Sequence, residues 1–125
     1  TVLCNSPSCE VHVVAGQLRP EDRDLTGAPV LNGYSRFLAD FGVIGAGALD
    51  SEFGLLDYKQ FDAEVSNVIQ TSARKVLFVA DHSKWNRTAP HRVAEFSQLD
   101  AFITDKLPEG LDWPQTAPNV PLHLA

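Results

Sequence analysis

"VLFVADHSKW", residues 76–85, is the stretch from which the fold can be read. An apolar run, Val76 to Ala80, stops abruptly at Asp81, and His82, Ser83 and Lys84 follow at once. An unbroken apolar run of strand length suits a strand buried on both faces of a parallel sheet. In an open parallel sheet, ligands bind beyond the carboxyl ends of the strands. The change at Asp81 therefore marks a rim where a buried strand delivers polar side chains. Lys84 is a cation suited to a phosphate or acid oxygen, and Ser83 and the backbone amides can donate as well. The plainer alternative is that Asp81 caps a turn and Lys84 is solvated, since charged loop residues are usually exposed.

Working outward, "TVLC" (1–4), "VHVVA" (11–15), "FGVIGAG" (41–47) and "AFIT" (101–104) read as further strands, with "VPLHL" (120–124) weaker. One segment reads as a helix. In "DYKQFDAEVSNVIQTSARK" (57–75), Phe61, Val65, Val68, Ile69 and Ala73 recur at spacings of three and four. Asp57 with Gln60 resembles a capping box, and Arg74 and Lys75 stand at the other end, where cations favour the helix dipole. "LTGAPVLNGYSRFLAD" (25–40) starts as loop and turns helical near Leu31. Strand, helix, strand in sequence predicts an α/β fold, a parallel-rich sheet flanked by helices, with "VLFVA" and "GVIGA" as interior strands. "TVLC" and "VHVVA" are separated only by "NSPSCE". A parallel crossover needs about a dozen residues or more, so a break in the chain between Pro7 and Glu10 is expected. The tail "LPEGLDWPQTAPNVP" is expected to be mostly loop.

The 125 residues suffice for one domain with a real core. A net charge of −6 repels phosphate backbones, so these residues are not expected to hold DNA or RNA themselves. No stretch approaches the ~20 apolar residues that span a bilayer. Cys4 and Cys9 would close only a very short loop, so reduced thiols in a cytoplasmic protein are expected. The chain lacks methionine and starts at Thr1 inside an expected strand, the pattern of a fragment.

Other rim positions follow the same logic. Gly45, Ala46 and Gly47 end an apolar run and permit close backbone approach, with Asp50 just beyond; a glycine-bearing turn is the plain alternative. Asn5 and Ser6 follow the first expected strand, Gly16 the second and Asp105 a fifth. His12, His82, His91 and His123 show no metal-ligand spacing, and no dinucleotide, Walker or nucleophile-turn motif is present, so neither a metal nor a cofactor is expected. Glu64 is a candidate base on the helix, though a surface glutamate is the commoner case.

"VIGAGALDSEFGL" (43–55), "DAEVSNVIQTSARKVLFVADHSKW" (62–85) and "RVAEFSQLDAFITD" (92–105) resemble the effector domain of DeoR-type bacterial transcriptional regulators. "ADHSKW" is the most specific piece. It is similar to the Asp-x-Ser-Lys-aromatic motif of ribose-5-phosphate isomerases. The resemblance implies an isomerase and CoA-transferase-like α/β domain, here lacking its early portion. It also implies a phosphorylated sugar effector, an absent N-terminal winged helix-turn-helix that binds operator DNA, and a homo-oligomer, since two-fold operators demand paired DNA-binding units. Residues 1–125 would be the partial effector-sensing domain. Asn5, Ser6, Gly16, Gly45, Ala46, Gly47, Asp50, Asp81 and Lys84 would line the pocket. The family's Asp-Ser-Gly-Thr-Thr loop is missing. Cys4, Ala15, Leu56 and Asp57 depart from the family's usual residues and alter the pocket rim.

Three functions compete. The leading one is a non-enzymatic ligand sensor of a repressor. A sugar-phosphate isomerase on the same fold would need a positioned carboxylate base; Glu52 and Glu64 are candidates, but the glycine-rich loop of the isomerases is lacking. The third is an oligomerisation module with a vestigial pocket.

Overall fold

The structure, a computed structural model, describes residues 2–125. Two short strands, β1 (Gln17–Arg19) and β2 (Asp24–Thr26), form a hairpin, followed by α1 (Ala28–Ser35). Then come β3 (Ala39–Ile44), β4 (Ala48–Asp50), β5 (Gly54–Asp57), α2 (Gln60–Thr71) and β6 (Ala73–Val79). The remaining elements are β7 (His91–Ala94), β8 (Ala101–Thr104), α3 (Trp113–Thr116) and β9 (Leu122–Leu124). The α/β class is as expected: β3, β6, β8 and β9 form, in that order, a fully parallel sheet of four strands. A separate antiparallel sheet in the order β4, β5, β7 was not foreseen.

The parallel sheet buries one face. Ile44 pairs with Phe78 and Phe78 with Phe102 across β3, β6 and β8, placing their side chains on the same side. Phe78 and Phe102 are 0% exposed and stack at 4.9 Å between ring centroids. Trp113 of α3 lies 5.0 Å from Phe102 and 5.2 Å from Phe96, and Trp85 lies 5.8 Å from Phe96. The indole N–H of Trp113 donates to the carbonyl of Val120 at 2.8 Å, which satisfies a polar group that burial would otherwise penalise. Leu49, Leu55 and Val93 of the antiparallel sheet join this core, and α2 lays Ile69 against Gly42.

Five sequence expectations are corrected. "TVLC" is not a strand: Leu3–Asn5 make a turn of 3-10 helix, and Thr1 lies outside the described residues. "VHVVA" belongs to no strand. With no parallel pair to connect, the six-residue link needs no crossover, and the chain runs on through a turn in which the Cys9 amide donates to Ser6 O at 3.2 Å. The strand "GVIGA" is not interior: β3 is the sheet edge, and Phe41 and Val43 are each 60% exposed on the open face. Apolar composition reports a preference for cover, but not which strand lies outermost. Finally, α2 is shorter than its periodicity implied. It starts at Gln60 after Lys59, without a side-chain cap, so Asp57 ends β5 instead; Arg74 and Lys75 already belong to β6. Cys4 and Cys9 are unpaired and exposed.

Two charged clamps fix the loops. Arg19 of β1 binds Asp24 of β2 and reaches Asp62 of α2 at 3.0 Å, tying the hairpin to the helix. At the other end of the sheet, Asp105 follows β8 and accepts from both the backbone amide of His82 (2.8 Å) and its Nδ1 (2.5 Å). With a carboxylate as acceptor, the ring proton sits on Nδ1. The side-chain bond from His82 is the main reason that the Asp105 carboxyl is held well below the usual carboxylate range.

Two predictions concern this framework. Phe102→Ala should cost about 3–5 kcal/mol of unfolding free energy in urea denaturation, because a buried ring leaves a cavity among Phe78 and Trp113. Gly54→Ala should also destabilise, by about 1–3 kcal/mol or more: Gly54 has φ +87°, and an added Cβ would lie 2.4 Å from Ala94 O. The acid limb supplies a further one. A carboxyl whose folded pKa is depressed binds fewer protons in the folded state, so its stabilisation is complete above the unfolded value of about 3.9 and fades as pH falls towards the folded value. Thermal melts should therefore show wild type losing its advantage over Asp105→Asn as pH drops below about 4.

Candidate functional site

The rim at the carboxyl ends of β3 and β6 forms from three turns. After β6, the Asp81 carboxylate accepts from the Ser83 amide at 2.8 Å and caps one 3-10 turn, His82–Asn86. This capping is local chemistry that Asp and Ser favour just before a helical turn. It also holds the Asp81 carboxyl below its ordinary value, chiefly through the hydrogen bonds from Ser83. Lys84 is half-buried within that turn, and the next residue, Trp85, packs on Phe96. The lysine is thus carried by a turn with one end capped and its other side anchored in the aromatic core.

After β3 come Gly45, Ala46 and Gly47. Gly47 donates its amide to Leu56 O at 3.0 Å and sits under Tyr58: a Cβ there would lie 2.8 Å from the Tyr58 ring and 3.0 Å from Asp57 Oδ1. No side chain fits without displacing one of them. Gly45 is open, and Ala46 is half-buried against the core.

The third turn follows β5. Asp57 accepts the Tyr58 amide at 2.9 Å on Oδ1. Burial pushes the Asp57 carboxyl above its ordinary value, and the charge of Lys84 acts in the opposite direction. No ion pair joins Asp57 to Lys84 among the described residues. Gly45 and Asp57 line one cavity of about 580 Å³ together with Arg23, Tyr34, Phe61 and Asp62. That volume lies within the ordinary range for small-molecule sites. An apolar groove of about 330 Å³ beside β3, lined by Val14, Phe37, Phe41 and Val43 among others, contains no lysine, arginine or carboxylate and is poorly suited to a charged ligand.

The expected site residues divide accordingly. Gly45, Gly47, Asp81 and Lys84 lie on turns that follow β3 and β6, with Ala46 packed behind them, but of these residues only Gly45 lines the cavity. Asp50 is occupied elsewhere: its Oδ1 accepts from the amides of Glu52 (2.8 Å) and Phe53 (2.9 Å), which closes the β4–β5 turn. Gly16 allows close packing, since a Cβ there would come within 2.6 Å of Val30. Asn5 and Ser6 stand in the first turn and its exit and do not line the cavity shared by Gly45 and Asp57. Glu52 and Glu64 do not line it either, and Glu64 accepts from Gln60 on α2. Asp57 was expected to alter the pocket rim but also to cap the helix, whereas it ends β5, and Tyr58 was not singled out. The dipeptide "GL" just before Leu56 was the available signal that a strand intervenes.

Similarity to known proteins agrees with this geometry. Residues 1–106 match the DeoR C terminal sensor domain. Over 110 residues, 88% of this chain and 43% of the relative, the chain is 36% identical to the glycerol-3-phosphate regulon repressor of Haemophilus influenzae. It is 32% identical to the HTH-type transcriptional repressor CsqR of Escherichia coli, over 86% of the chain and 41% of the relative. With the HTH-type transcriptional repressor GlcR of Bacillus subtilis the identity is 33%, again over 86% and 41%. The chain thus spans about two fifths of the length of these curated relatives. With the family motif "ADHSKW" forming the capped turn at the rim, the chain belongs to the DeoR C-terminal sensor domain family.

Proposed function

We propose that this chain is the ligand-sensing part of a DNA-binding transcriptional repressor, and that its effector is a phosphorylated sugar or sugar derivative. The observation that carries this reading is Lys84, presented on a capped and anchored turn beside the glycine-bearing end of β3. There the ammonium follows a strand next to the one that ends at Gly45, where the backbone is exposed and a ligand could approach closely. The relatives' names support it: three are named as a glycerol-3-phosphate regulon repressor, and others are named as transcriptional repressors or regulators. Operator DNA would be held by a further domain of the protein, in a cytoplasmic homo-oligomer. The effector would change operator affinity only through a difference in its affinity for two arrangements of subunits or domains.

A panel of sugar phosphates in thermal-shift assays, followed by titration calorimetry, tests the reading. At least one phosphorylated sugar should stabilise the protein, while its unphosphorylated counterpart should not. Lys84→Ala should weaken that binding about 10- to 150-fold, the equivalent of a charged hydrogen bond of about 1.5–3 kcal/mol, with little change in fold stability. Wild-type affinity in Lys84→Ala would make the lysine a solvated loop residue. Turnover of ribose 5-phosphate would instead favour an isomerase.

A further inference from the structure

The cavity of about 580 Å³ is lined by one arginine, Arg23. Its side chain enters none of the ion pairs among the described residues. Its backbone is held at φ +55°, and among the described residues it is the only one other than glycine with a positive φ. The hairpin accounts for that conformation. The loop between β1 and β2 runs from Pro20 to Arg23, and short hairpin loops commonly use a left-handed residue. Glycine takes up such a position without strain, whereas a residue with a Cβ is disfavoured there. The turn therefore explains the backbone but not the choice of arginine. A residue kept against its backbone preference, with its side chain beside a cavity, is the pattern that strain takes at functional sites.

We propose that Arg23 is a phosphate-binding residue of the effector site and contacts the effector's phosphate inside this cavity. The inference rests on the sugar-phosphate reading and adds a cation that, unlike Lys84, lines the cavity itself. A guanidinium offers its N–H groups as a planar fork that meets phosphate oxygens two at a time. Gly45 lines the same cavity with exposed backbone and no side chain to hold a ligand off, and Tyr34 and Ser66 supply hydroxyls for hydrogen bonds to a sugar. The local charge makes Arg23 decisive. Asp24, Asp57 and Asp62 line the cavity, and Arg19 is engaged with Asp24 and, at 3.0 Å, with Asp62. Two arginines thus stand against three carboxylates, so an anion is accepted there only through direct contact with Arg23.

The test uses the full chain, with Arg23→Gly and Arg23→Lys, in calorimetric titrations with glucose 6-phosphate, fructose 6-phosphate and inorganic phosphate. Glycine relieves the backbone and removes the cation, so Arg23→Gly should melt at an equal or higher temperature than wild type while binding phosphate about tenfold or more weakly. Arg23→Lys keeps the charge and loses the fork, so its affinity should fall between the two. Because the guanidinium is exposed, added salt should weaken binding in wild type and have less effect on what remains in Arg23→Gly. Wild-type affinity in Arg23→Gly would make the arginine a solvated turn residue and overturn this inference, leaving the sugar-phosphate reading intact. Melting temperatures that fall in both variants in step with their affinities would assign Arg23 a role in the hairpin alone, which also overturns it. Binding of none of the three probes by wild type would overturn the inference and the reading together.

Discussion

A line of packed aromatic rings holds this molecule together. It starts at Phe78 and Phe102, paired on adjacent parallel strands, passes through Trp113 and Phe96, and ends at Trp85. Each ring comes from a different element or turn, so a single contiguous cluster joins β6, β8, α3 and the turn after β7 to the turn that carries Lys84. Large rigid rings suit this task because they bury much area with few rotatable bonds, and offset or tilted contacts add to that burial. The functional consequence is mechanical. Lys84 is flexible by nature, but its neighbour in the chain is wedged into the core, so the lysine starts from a fixed point.

The rim shows how local satisfaction and site chemistry share the same atoms. Asp81 spends its carboxylate on the turn that presents Lys84, and Asp50 spends its own on the turn beneath Phe53. The Asp105 carboxylate holds the first residue of the Lys84 turn to the end of β8. Asp57, like Asp50 and Asp81, accepts through Oδ1, whereas Asp105 engages both oxygens.

The parallel class, the strand "AFIT", the presence of α2 and the rim position of Asp81 to Lys84 were legible because each rests on local periodicity or an abrupt change of polarity. What could not be read depended on pairing between distant segments. The short strands β4, β5 and β7 contribute three or four residues each, too few to show a period, and their partnership is set by Gly54 and the Asp50 turn. "VHVVA" has every property of a strand except a partner. Asp57 was assigned to a helix cap because an Asp three residues before a Gln satisfies that pattern; only the register of Leu56 opposite Ala48 places it in β5. In the site, residue type singled out Lys84, whereas the glycines' separate roles emerge only from what a Cβ would strike.

The outermost position of β3 has a colloidal consequence. An edge strand presents backbone donors and acceptors that another strand can join, and this one is flanked by Phe41 and Val43 on a face without cover. What opposes such joining between copies at long range is the shared negative charge, −6 per chain. That repulsion is screened over about 8 Å at physiological ionic strength and over about 3 Å in molar salt. The edge contact itself, made of apolar surface and backbone hydrogen bonds, is not weakened by salt in the same way. Added salt therefore lowers the long-range barrier without screening the apolar edge, and moving the pH further above the isoelectric point of about 5.0 strengthens the repulsion.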